Sequence, residues 1–246
     1  MTKKKIQVIL LSGVILVALF LIYWFYFSKP TDFPSDQQLA KEINQIFPKA
    51  DVDTIQDTII LDSEHVFVPF VSSNEEYGSS YWTWEKHKWK PVYINTVGDP
   101  LVWRIDSKDP SSSFIVWNIH PRDNVNYMRF YMIRDRGYHI SYGIHTYIPQ
   151  IQMEKQLSLK EQGYGVLKLP IEWGNFLTRA NRLAKAQNPN VTFNSLLPDA
   201  SVYIGWMPYN SDDELVFPEN SVNGHGFING DIETDFVRLL NEIDLE

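Results

Sequence analysis

An α+β fold is predicted for this chain: an apolar N-terminal segment, one amphipathic helix, a mostly antiparallel β meander, then two further helices. Three observations support that prediction. Ile6–Phe27 is apolar, interrupted only by Gln7, Ser12 and Gly13. Between Thr54 and Tyr147, β-branched and aromatic stretches alternate with turn-forming clusters at about eight- to twelve-residue intervals, as in hairpin-connected sheets. Helical spacing of apolar residues is confined to the flanks, at Leu39, Ile43, Ile46 and Phe47 and again across Ile171–Ala186.

The apolar segment comes first in the chain. At helical rise Ile6–Phe27 is about 33 Å long, enough for a hydrocarbon core of roughly 30 Å. Lys3, Lys4 and Lys5 precede it, whereas Lys29, Asp32 and Asp36 follow, so residues 1–5 are expected in the cytoplasm and the remainder outside. Tyr23, Trp24, Phe25, Tyr26 and Phe27 would lie at the outer headgroup level. A cleaved signal peptide has a shorter apolar core and small residues at its end. Here bulky aromatics run into Ser28-Lys29-Pro30, which favours an uncleaved signal-anchor helix at 6–27 with the lipid bilayer as its partner. Residues 28–34 then read as a stiff linker and 35–246 as one extracytoplasmic α+β domain, with a bacterial cell envelope as the assumed setting.

Charge and cysteine content narrow the partners. The chain carries a net charge of −8. Without the three leading lysines, 19 basic residues face 30 acidic ones, a balance that repels nucleic acid. With no cysteine, the chain has neither disulfides, thiol catalysis nor a lipidated cysteine. Asn190-Val191-Thr192 fits a glycosylation acceptor, which matters only in a eukaryote.

The helix after the linker should start at Ser35-Asp36 and stop near Phe47, because Pro48 cannot continue it. Strands are expected at Thr58–Leu61, His65–Val71, Tyr81–Glu85, Trp89–Val97, Leu101–Asp106, Phe114–Ile119, Tyr127–Arg134, Tyr138–Tyr147 and Val202–Met207. Gln152–Glu161 is polar and ambiguous. Asp231, Glu233 and Asp235 are expected to open a final helix through Phe236, Leu239 and Leu240.

No catalytic signature is present: no Gly-x-Ser-x-Gly, phosphate-loop, His-Glu-x-x-His or dinucleotide-binding glycine pattern. The candidate ligand site is a hairpin closed by Asp135-Arg136-Gly137. In that register Met128, Phe130, Met132, Ile140, Tyr142 and Ile144 form a core face. Tyr127, Arg129, Tyr131, His139 and His145 form a polar one, with Arg129 opposite Gly143. Such a face is a cleft floor for an anionic or hydroxylated ligand or, more ordinarily, a solvated sheet surface. His139 and His145, about 20 Å apart on one strand, would not share a metal. Trp82, Trp84 and Trp89 suggest an aromatic platform for sugar rings, although such rings more often fill a core. Asp212-Asp213-Glu214 and Asn223–Asp231 lack calcium-loop spacing and read as loops. No metal or cofactor is implied. The functional expectation is a membrane-anchored module binding an envelope protein or glycan; the alternative is an extracytoplasmic hydrolase of envelope material.

Overall fold

The computed structural model describes residues 3–27, 29–187, 196–197 and 201–245. Its helices are α1 (Lys3–Phe27), α2 (Asp36–Ile46) and α3 (Ile171–Gln187). The strands in the first half are β1 (Val52–Ile55), β2 (Ile59–Ile60), β3 (His65–Ser72), β4 (Tyr77–Glu85), β5 (Lys88–Asn95), β6 (Leu101–Arg104) and β7 (Phe114–Asn118). They continue with β8 (Tyr127–Arg134), β9 (Gly137–Ser141), β10 (Ile144–Ile148), β11 (Ile151–Ser158) and β12 (Tyr164–Lys168). After α3 come β13 (Val202–Tyr209), β14 (Gly226–Ile228), β15 (Glu233–Phe236) and β16 (Arg238–Leu239). The Asn190-Val191-Thr192 tripeptide lies outside the described residues.

The expected α+β class holds, but the strands form three sheets and a separate hairpin. The first sheet has the order β1-β3-β4-β5-β14, with β2 also on β3; the second is β12-β7-β6-β15 and the third β11-β8-β13-β16. All pairings are antiparallel except β13 with β16. Leu39 and Ile43 of α2 pack on Val66, Val68, Phe70 and Trp82, so this helix covers one face of the first sheet. The other face, with Phe67, Tyr81 and Val92, packs on Trp103 and Val116 of the second sheet. A further core joins Ile115 and Trp117 to Met128, Phe130 and Met132 of the third, with Trp173 and Leu177 of α3. Asn118 stitches the first two sheets together: its side-chain amide donates to Gly78 O at 2.7 Å and Phe70 O at 3.1 Å.

Register gives the strands a common polarity. The starts of β3 and the ends of β4 and β6 meet at one end, where His65, Thr83, Trp103, Arg104 and Glu233 line one small cavity. From Glu233, β15 and β16 run away from that end, and β13 runs parallel with β16. Antiparallel β8 therefore returns, delivering Arg134 to the near end and leaving Tyr127 at the far end. Trp24 of α1 stacks on His87 in the β4–β5 turn with ring centroids 4.6 Å apart, so α1 joins at the near end. The segment after α1 is folded onto the first sheet, with Phe33 edge-on to Trp82 and Trp89, and Trp89 Nε1 donating to Thr31 O at 3.0 Å.

Among the described residues no helix is long and apolar enough to cross a membrane. The expected final helix is also replaced. Glu233 and Asp235 alternate along β15 so that both reach the buried Arg104, at 3.3 and 2.9 Å. That is a period of two, imposed by one buried cation rather than by a helix dipole. One helix rather than two therefore follows the strands among the described residues.

Candidate functional site

The expected hairpin of Tyr127–Arg134 with Tyr138–Tyr147 does not form. β8 pairs instead with β11, so Arg129 faces Gln156 and not Gly143. The segment read as ambiguous is a sheet edge: Met153 and Leu157 pack inward on the core while Gln152, Glu154 and Gln156 point out. Residues 137–148 fold back on themselves through a two-residue turn, with Tyr142 and Gly143 at φ 49° and 77°. The expected core residues Ile140, Tyr142 and Ile144 are consequently exposed. His139 and His145 lie on its two strands, opposite Thr146 and Ile140, remote from Arg129. The His145 ring is hydrogen-bonded to the Tyr138 hydroxyl.

Tyr127, Arg129 and Tyr131 do share one face of β8, and Tyr209 of β13 joins them. Tyr127 and Tyr209 stack at 4.9 Å, and the half-exposed Arg129 guanidinium lies 5.6 and 5.0 Å from their centroids. Glu154 and Gln156 hold its other side at 3.7 and 3.3 Å. Burial pushes the Tyr127 phenol above its ordinary range, opposed by Arg129 and assisted by the Asp213 carboxylate to which it is hydrogen-bonded. Arg129 thus closes over two tyrosines as a cation–π lid. Trp82 is fully buried, Trp84 is 8 % exposed, and Trp84 meets Trp89 edge-on at 5.5 Å. These rings fill the seam between α2, the linker and the first sheet. Asp212 and Glu214 donate their backbone N–H groups to Asn210 Oδ1, closing a loop.

A separate concavity lies elsewhere. It lies between the end of β11 and the start of β12, the edge strands of the third and second sheets. They leave a cleft of about 770 Å³ lined by Asp57, Trp117, Ser158, Lys160, Glu161 and Tyr164, among others. That volume suits a small ligand. Trp117 is 6 % exposed, and its indole N–H has no hydrogen-bond partner. Gly165 lets the indole lie flat against β12, since a Cβ there would sit 2.8 Å from the ring. Burial, then the Asp57 charge and hydrogen bond, push the Tyr164 phenol upward. The cleft escaped sequence reading because it is assembled from β11, β12, β7 and the segment before β2; only the Gly163-Tyr164-Gly165 pattern hinted at close backbone approach.

Ser221, His120 and Asp123 also cluster, all buried. Their wiring differs from a nucleophilic triad. The Ser221 hydroxyl donates to Asp123, not to the imidazole. His120 Nδ1 accepts from Arg122 N at 2.9 Å and Nε2 donates to Glu75 O at 3.0 Å, so both ring nitrogens are committed to backbone. This trio ties the 219–221 loop to the end of β7. Among the described residues no group of three histidine or carboxylate side chains is arranged to hold a metal ion. Comparison with family models, curated proteins and solved structures finds no match to the chain.

Proposed function

We propose that this is a single-pass membrane protein whose domain stands outside the cytoplasm and binds a hydroxyl-rich, glycan-like ligand of the envelope in the cleft beside Trp117. The observation that carries the ligand reading is the cleft walled by Trp117, whose buried indole N–H has no partner. A buried donor left unmade costs about 1–3 kcal/mol, which an acceptor on a ligand recovers where binding opens the N–H, now sealed from solvent, to the cleft. Around it the cleft offers an aromatic ring, two carboxylates, an amine, a hydroxyl and a phenol, a mixture of donors and acceptors suited to a polyhydroxylated ring.

The anchor reading rests on α1 and the sequence around it. The described large apolar side chains from Leu10 to Trp24 are about half or more exposed, on every side of the helix. Aliphatic surface of that extent is at rest in lipid rather than in water. Three lysines before it and an acid-rich domain after it favour a cytoplasmic N-terminus.

A thermal-shift screen of the full chain in detergent against wall-glycan fragments tests the ligand reading. A ligand at a hundred times its Kd adds about 2.7 kcal/mol to stability. Trp117→Phe keeps an aromatic ring, deletes the donor and gives up some packing, so with each protein read against its own unliganded Tm the variant should lose most of the ligand-induced shift. An equal shift in both proteins would contradict the cleft assignment, and no shift with any glycan would redirect the search to a protein partner.

A further inference from the structure

The β9–β10 arm is built unlike the rest of the molecule. Among the described residues its two strands pair only with each other. A lone two-stranded hairpin has marginal stability in water unless something covers it. Tyr138, Ile140, Ile144 and Tyr147 are each more than half exposed, and Tyr142 at the tip is 103 % exposed, as open as a free residue. Strand alternation puts Tyr138, Ile140, His145 and Tyr147 on one face, a surface of rings and a branched alkyl group.

Two further observations indicate what covers it. From Arg136 to Gln150 the arm carries no carboxylate, in a chain with 30 acidic residues. The absence matters because a carboxylate is costly to desolvate and is repelled by anionic headgroups. The arm also leaves β8 at Arg134, at the end of the molecule where Trp24 of α1 stacks on His87. At strand rise its five-residue strands reach about 17 Å from the body. The arm and α1 therefore join the body at the same end.

We infer that the β9–β10 arm is a second membrane contact, inserting its Tyr- and Ile-bearing tip into the headgroup interface of the leaflet from which α1 emerges. Tyrosine suits that region, its ring in the acyl boundary and its hydroxyl in water. The inference rests on the anchor reading of α1. Two attachments fix the domain's tilt, so the Trp117 cleft at the far end is held facing away from the bilayer.

The absence of cysteine allows a direct test. Single cysteines at Tyr142→Cys, Asp212→Cys and Val14→Cys are spin-labelled in the full chain and reconstituted in vesicles of phosphatidylethanolamine and phosphatidylglycerol. Position 142 is fully exposed, so substitution removes no packing. The inference predicts an oxygen-to-nickel-chelate accessibility ratio at 142 several-fold above that at 212 and below that at 14. A ratio at 142 equal to that at 212, with 14 deep in lipid, overturns the arm contact and leaves the anchor standing. A water-exposed label at 14 overturns the anchor reading and the arm contact with it. Protection of 142 from both reagents, with spin–spin broadening that vanishes on dilution with unlabelled protein, assigns the arm to a second copy and overturns the lipid contact.

Discussion

Replacing Asp99 with asparagine should make the protein more stable at neutral pH. Asp99 lies where the chain leaves β5 for β6, close to the phenols of Tyr81 and Tyr93, both of which its charge pushes upward. Burial raises its own carboxyl from 3.8 to about 6, offset only in part by a hydrogen bond to its own backbone. The folded state therefore binds a proton more tightly than the unfolded chain does. Between pH 3.8 and 6 the folded form holds a proton that the unfolded form has released, so stability falls as pH rises through that window. Each pKa unit is worth about 1.36 kcal/mol, which sets a ceiling of about 3 kcal/mol on the loss above pH 6. Asparagine keeps the size and one acceptor oxygen but cannot ionise. Urea unfolding of both proteins in mild detergent, followed by tryptophan fluorescence, should show equal midpoints near pH 4. At pH 8 the variant should be about 1–3 kcal/mol more stable, with an unchanged m value. A variant less stable than the parent at pH 8, or a difference independent of pH, would refute the assignment of Asp99 as a buried charge held at a cost.

Three further outcomes follow from the packing. Asn118→Ala removes the donor to Gly78 O, Phe70 O and Gln56 Oε1 and leaves buried carbonyls unpaired, so urea unfolding should show a loss of roughly 2–4 kcal/mol. Gly165→Val drives a Cβ into the Trp117 ring, so the variant should lose about 1–3 kcal/mol of stability together with ligand-induced thermal shifts. Arg129→Ala lifts the lid from Tyr127 and Tyr209 at a cost of about 1 kcal/mol. It should also push the Tyr127 phenol still higher in an ultraviolet titration, because Arg129 now lowers it.

Much of this fold was legible where one periodicity ruled a segment. Leu39, Ile43 and Phe47 announced α2, and Pro48 its end, because a single stripe had to cover a single sheet face. The β4–β5 hairpin was legible from Lys86-His87-Lys88, although the turn proper is Lys86-His87, at φ 49° and 68°, a conformation that side chains other than glycine seldom signal. Gln152–Glu161 was unreadable as a strand because it is an edge: one row meets Met128 and Met132, the other meets water, and Lys155 interrupts the alternation. Missing that strand misassigned β8's partner and carried Arg129 to the wrong neighbour. The Glu233–Phe236 segment misled in the opposite sense, since its carboxylates serve Arg104, some 130 residues earlier in the chain. Of the candidate site, Tyr127, Arg129 and Tyr131 were correctly grouped because alternation within one strand does not depend on its partner. The Trp117 cleft needed four segments in place at once, which no local pattern records.

Orientation in the membrane is the claim on which the rest depends, and accessibility of single cysteines in intact cells tests it most directly. A cysteine at Ser35 should react with a membrane-impermeant maleimide, and one at Thr2 should react only after the cells are opened. The reverse pattern, or labelling of both positions only in opened cells, would contradict an extracytoplasmic domain.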